Sequence, residues 1–275
     1  MAARAMWKGV IQLGRVSVPV KLYSAVQDRS VHFHILEQKQ DVRIKQEMVN
    51  PETNEEVPKE QVQRAYEVEK GVYVPLTTDE LAQLEPPPSR DIEPLRFVPP
   101  EVLGHAWFER PYYLGPDDDP ASYFAFVDAL DAQNRVGLMR WVMRKKQYLG
   151  AVKAERGYLM LFTLHYAEEV LAAQELPKPE GKALDAKELA MARQLISVLE
   201  GPFAPEEYHD EYRERVLKFV EEKAQGKKPK LAVIPKKEVT DQLTSALEAS
   251  LKALKAPAKA QAEARPKSKG RAAVA

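Results

Sequence analysis

Positive side chains gather in two stretches of this sequence where contact with an anion is chemically reasonable. Residues 135–156 hold seven Lys or Arg, at 135, 140, 144, 145, 146, 153 and 156, against the lone acid Glu155. The first fifty residues hold eight, at 4, 8, 15, 21, 29, 39, 43 and 45, against four acids. Lys and Arg carried on strands and tight turns suit phosphate groups, which they neutralise without reading a base. For a basic turn such as Arg144-Lys145-Lys146 the competing explanation is plain solvation.

Catalytic chemistry finds weaker footholds. His32 and His34 would share one face of a strand, as two metal ligands do, yet no third ligand stands at a recognisable spacing, and packing or hydrogen bonding is the simpler role. Asp117-Asp118-Asp119 lacks the spaced oxygen ligands and terminal Glu of a calcium loop and reads as a solvated turn. No GxxxxGK[ST] stretch supports a P-loop ATPase. Ser17, Ser24 and Ser30 have no recognisable His/Asp relay. Trp107-Phe108 and Tyr112-Tyr113 read as core or dimer packing rather than a platform for bases. No catalytic residue, metal or cofactor is expected.

The chain has 275 residues and a formal net charge of zero, with 41 basic and 41 acidic groups. That neutrality is a cancellation. From Lys223 to Ala275 there are 13 Lys or Arg and four acids, a balance of +9, so the preceding 222 residues carry −9. A hydrophobic content of 44% is enough for a real core. The absence of cysteine excludes disulfides and thiolate metal sites and fits a reducing compartment. The opening MAARAMWKGVIQ has no apolar run of signal-peptide length, and YLMLFTLHY at 158–166 is about half the ~20 residues that span a bilayer. A soluble, cytoplasmic protein without membrane contact is expected.

The elements that must position these groups follow from patterning. VIQLGRVSVPVKLYSAV reads as a strand with an edge position or bulge at Pro19. SVHFHIL (30–36), VRIKQEMV (42–49) and GVYVPL (71–76) read as further strands. TTDELAQL (77–84) is a short helix with a Thr cap. EPPPSRDIEPLRFVPPE is too broken by proline for a helix and reads as a segment crossing the surface. ASYFAFVDALDAQ is helical. Residues 136–143, 147–153 and 157–166 form a β-meander with basic or Gly-containing turns. DAKELAMARQLISVLE (185–200) is a helix with Leu189, Ala192, Ile196 and Leu199 on one face, and PEEYHDEYRERVLKFVEEKAQG is another. Beyond 235, Val239, Leu243, Leu247, Leu251 and Leu254 form one apolar stripe. Past Pro257 the Ala/Lys/Pro composition favours disorder.

In order and spacing the chain resembles the bacterial Ku proteins of non-homologous DNA end joining. The resemblance rests on Trp7-Lys8-Gly9, on Val18-Pro19-Val20-Lys21-Leu22-Tyr23-Ser24-Ala25, and on Val31-His32-Phe33-His34. It continues through Glu56-Val57-Pro58, Tyr66-Glu67, Gly71-Val72-Tyr73-Val74, Phe97-Val98 and Tyr112-Tyr113-Leu114 with Pro116. It ends in Phe203-Ala204-Pro205-Glu206-Glu207-Tyr208 with Asp210, Tyr212 and Arg213. Departures are Leu13-Gly14-Arg15-Val16, which adds a charge in an early strand, Leu103-Gly104-His105, and the negative loop 117–119.

The resemblance implies an α+β fold: a β-barrel core with a proline-rich arch, a C-terminal helical arm and a disordered basic tail. Two copies would form a ring-shaped homodimer threaded by double-stranded DNA from a broken end, at the nucleoid, without catalysing a reaction. The implied partner is the multifunctional ATP-dependent DNA ligase of the pathway. On this reading residues 1–235 are the core, 236–256 a partner-docking segment and 257–275 the tail. Lys21, Arg43, Lys45, Arg140, Arg144, Lys145 and Lys146 are the expected phosphate contacts. The stripe Val239, Leu243, Leu247, Leu251 and Leu254 either docks on the ligase or folds back on the core. Two alternatives stay open: a general duplex-binding or chromatin-architectural protein, and a metal-dependent nuclease.

Overall fold

The computed structural model describes residues 3–178, 185–227, 247, 248 and 251. It divides into two compact units, residues 1–176 and 177–275.

The first unit is built on a closed seven-stranded barrel. The stretch expected to be one strand is a hairpin: β1 (Trp7–Leu13) turns at Gly14 and Arg15 into antiparallel β2 (Val16–Ser24). Gly14 takes φ +64°, a left-handed value that glycine adopts without a steric cost. Arg15 therefore lies in a turn and puts no charge into a strand. Alternation along the hairpin sends Ile11, Val18, Val20 and Leu22 into the core. Pro19 stands opposite Val10, and its carbonyl accepts the Asp117 N–H at 3.1 Å.

A two-stranded sheet follows, of β3 (Arg64–Glu69) and β4 (Val72–Leu76), and then helix α1 (Thr78–Leu84). Thr77 and Glu80 close the expected cap of α1 from both sides. The proline-broken stretch contributes β5 (Asp91–Val98), a barrel strand rather than an irregular crossing. Pro94 is accommodated because the register against the next strand shifts between Pro94 and Arg96.

Strand β6 (Phe108–Pro116) leads into helix α2 (Pro120–Gln133), and the meander β7 (Val136–Met143), β8 (Lys146–Glu155) and β9 (Tyr158–Leu164) completes the barrel. The strands run in the order β1-β2-β6-β9-β8-β7-β5, and β5 returns to β1 as the one parallel pairing. Trp141 and Met139 of β7, Val152 of β8 and Leu159 and Leu161 of β9 fill the interior with the hairpin residues. Helix α2 adds Tyr123, Phe126, Val127 and Leu130 to that core. The Tyr123 hydroxyl donates to the Leu114 carbonyl at 2.5 Å and accepts the Leu159 N–H at 2.9 Å. It thereby ties α2 to two cross-strand partners of β6 and β9.

Residues 30–36 and 42–49 are not strands. They carry only the isolated bridges Leu36–Arg43 and Val49–Glu56. Alternating side chains stabilise a strand only when a ladder and a covered face are available, and here Phe33, Ile35, Val42, Ile44 and Met48 are exposed. β3 was not foreseen, although Tyr66 and Val68 alternate with charged residues.

In the second unit the expected helix is α3 (Ala186–Leu199), with Asp185 as its cap rather than its first residue. The second helix, α4 (Glu211–Ala224), begins at the Asp210 cap, later than the sequence suggests, because residues 205–207 form a separate 3₁₀ turn. Leu189, Ile196 and Leu199 of α3 are all exposed. No described helix is long and apolar enough to cross a membrane.

Candidate nucleic-acid interface

The β7–β8 turn presents the densest positive charge. Met143 pairs with Lys146, leaving Arg144 and Lys145 as a two-residue connection. Both adopt left-handed backbone, at φ +51° and +66°. Two-residue hairpin turns favour this geometry because it matches strand twist, but they normally place Asn or Gly there. Here the positions are held by two long cations whose side chains project outward. Lys145 Nζ lies 3.0 Å from Glu85, and 73% of the Lys145 side chain stays accessible, so the pair restrains the cation only weakly. Lys146 sits 5.4 Å from the Tyr148 ring centre, and Tyr148 stacks on buried Trp141. Arg144 and Lys145 also border a cleft of about 470 Å³ with Arg90, Ser89 and Trp7.

Lys21 projects outward from β2, where it stands directly opposite Lys8 of β1. One carboxylate serves both: Asp117 Oδ1 lies 2.6 Å from Lys21 Nζ and Oδ2 2.8 Å from Lys8 Nζ. Asp117 is 6% exposed, so the expected solvated turn is wrong at this residue. Its acidity reflects the arrangement. Hydrogen bonds from Lys21, then Lys8, hold the Asp117 carboxyl below the usual aspartate range against the opposing effect of burial. The Asp117 hydrogen bond correspondingly raises Lys21. Asp119 serves elsewhere, capping α2 through the Ser122 N–H at 3.1 Å.

The remaining candidates are distributed as follows. Arg140 of β7 faces Glu93 of β5 across the ladder and donates to Glu93 Oε2 from Nε at 3.1 Å and Nη2 at 2.6 Å. Arg43 donates to His34 Nδ1, and Lys45 is exposed nearby in sequence. Among the described residues, Arg43, Lys45, Arg144 and Lys146 meet no carboxylate. His32 faces Asp28 at 3.7 Å, and no group of three or more His, Asp or Glu among the described residues is placed to hold a metal.

Sequence reasoning missed Lys8, Asp117, Glu85 and Glu93. The hairpin register would have placed Lys8 against Lys21, but the carboxylates come from distant segments. Of the C-terminal stripe, Leu247 is half-buried and Leu251 buried, and Glu248 between them pairs with Lys187 of α3 at 3.3 Å. Val239, Leu243 and Leu254, the boundaries at 235 and 256, and the tail lie outside the described residues.

Residues 12–191 match the family profile described as the Ku70/Ku80 beta-barrel domain. A non-homologous end joining protein Ku of Solibacter usitatus is 34% identical over 252 residues, covering 91% of this chain and 94% of the relative. Its namesake in Coxiella burnetii is 37% identical over 253 residues, covering 90% and 92%. The Archaeoglobus fulgidus protein of the same name is 33% identical over 254 residues, covering 92% and 100%. With a closed barrel, a matching profile across most of it and relatives aligned over nearly their whole length, the chain belongs to the Ku family.

Proposed function

We propose that this protein binds the ends of double-stranded DNA without sequence preference, as an encircling homodimer, and acts in non-homologous end joining of double-strand breaks. The relatives' names supply the pathway. The observation that carries the reading is the segment between β2 and α1: Phe33 is 65% exposed, Ile35 60%, Tyr66 67% and Tyr73 62%. Large apolar side chains left exposed throughout one segment, on both faces of the β3–β4 pair, favour an interaction surface, and a second copy wrapping the same segment is the economical occupant. Cations on strands and turns of the barrel suit phosphate contacts, which fix position and leave sequence unread.

The pathway's multifunctional ATP-dependent ligase is recruited through residues 236–256. Burial of Leu251 favours a contact at that residue in the free protein that must be released for docking. The ring itself catalyses nothing. Solution mass with and without a short blunt duplex tests the assembly. A dimer that takes up one duplex is expected; a monomer in both samples refutes the ring.

A further inference from the structure

We propose that Lys8, Asp117 and Lys21 together form one phosphate-binding site in which the lysines touch the phosphate and Asp117 positions them; this rests on the duplex-binding reading above. Like charges directly opposite each other on paired strands are unfavourable, and Lys8 and Lys21 are such a pair. The carboxylate between them turns that repulsion into a fixed arrangement.

Asp117 is itself held from two directions. Its N–H donates to the Pro19 carbonyl at 3.1 Å, and its own carbonyl accepts the Asp119 N–H at 2.8 Å. Asp119 in turn caps α2. The carboxylate is therefore anchored to the hairpin and to the helix, and the two ammonium groups inherit its position.

Stoichiometry points to an anion. Balancing one buried carboxylate requires one cation, so Lys8, Asp117 and Lys21 sum to +1, the complement of a single phosphodiester; the exposed Asp118 also acts on Lys21, through charge alone and more weakly than Asp117. Each ammonium has three donors, and the ion pair with Asp117 engages one. The Lys8 side chain is 53% exposed and that of Lys21 30%, whereas Asp117 retains only 8%. An approaching anion meets the lysines and is shielded from the carboxylate. Because Asp117 offsets half of the local positive charge, the site grips a phosphate less tightly than two free lysines would.

The test is duplex affinity of the full chain over a salt series, for wild type, Lys8→Gln, Asp117→Asn and Asp118→Asn. Lys8→Gln leaves a neutral Lys21–Asp117 pair, so the log–log salt slope should become shallower by about 0.9. Asp117→Asn leaves two uncompensated lysines and should steepen the slope. Asp118→Asn removes the same charge one residue away, from an exposed side chain, and should change it less. An unchanged slope in Lys8→Gln overturns the site, as does an equal effect of the two Asp variants. If Asp117→Asn fails to fold, Lys8→Gln decides alone, since it keeps the Lys21 partner. Failure of the wild type to bind any duplex would instead remove the parent reading.

Discussion

The β7–β8 turn allows stability and DNA binding to be moved in opposite directions by one variant. Arg144 and Lys145 both occupy left-handed backbone with φ +51° and +66°, which costs a side chain bearing a Cβ roughly 1 kcal/mol or more and suits Asn or Gly better. Neither residue recovers that cost by burial, because both are exposed. The double variant Arg144→Asn, Lys145→Gly should therefore stabilise the hairpin by about 1 kcal/mol, or ~2–4 °C for a unit of this size. The same change removes two cations. Arg144 meets no carboxylate among the described residues, whereas Lys145 is partly offset by Glu85 at 3.0 Å. The salt slope should fall by between ~0.9, for Arg144 alone, and ~1.8, if Lys145 contributes fully. Over a fourfold rise in salt, that difference reduces the loss of affinity by a factor of roughly 3 to 12. Fluorescence anisotropy with short duplexes of unrelated sequence, paired with thermal unfolding, reads both quantities. A variant that is less stable, or one that keeps the wild-type slope, would refute the assignment of this turn; so would a loss confined to one duplex sequence.

Three further outcomes are expected. Tyr123→Phe deprives the Leu114 carbonyl and the Leu159 N–H of the hydroxyl between them, so urea unfolding should show a loss of about 2–4 kcal/mol; a loss under about 0.5 kcal/mol would mean those groups find other partners. Because the Asp117 carboxyl is lowered by Lys21 and Lys8, its contribution is present above the ordinary aspartate value of ~3.9 and is lost as pH falls from there toward the lowered value. Wild type should thus lose stability more steeply than Asp117→Asn on acidification below about pH 4, and parallel acid curves would contradict the ion pair. Deleting residues 236–275 should leave duplex binding in place and abolish stimulation of the ATP-dependent ligase in a nick- or end-joining assay; undiminished stimulation would return the Leu stripe to an internal packing role.

What the sequence made legible was local. The meander β7–β9 could be read because its apolar runs are separated by turns marked by Arg-Lys and Arg-Gly, α1 because a Thr cap precedes it, and α3 because its apolar residues recur at helical spacing. β5 was hidden by Pro94 and by the prolines that flank it; a bulge accommodates Pro94, which only the neighbouring strand reveals. Residues 30–49 have strand-like alternation but make only isolated bridges in place of a ladder, so the pattern was visible and its consequence was not. The candidate cations were selected by residue type, and type carries no information about counter-ions. Glu85 and Glu93 lie 60 and 47 residues from the cations they pair. Nothing in the string Asp-Asp-Asp distinguishes a buried carboxylate from its exposed neighbour; only the pairing of β6 with β2, itself paired with β1, brings two lysines to Asp117.

The most direct measurement compares binding to three forms of one DNA sequence: a linear duplex, the same duplex with bulky blocks at both ends, and a covalently closed circle. Threading through a ring predicts tight capture of the open linear form and strong discrimination against both forms that lack a free end. Equal affinity for all three would contradict encirclement and leave a surface that binds duplex anywhere along its length.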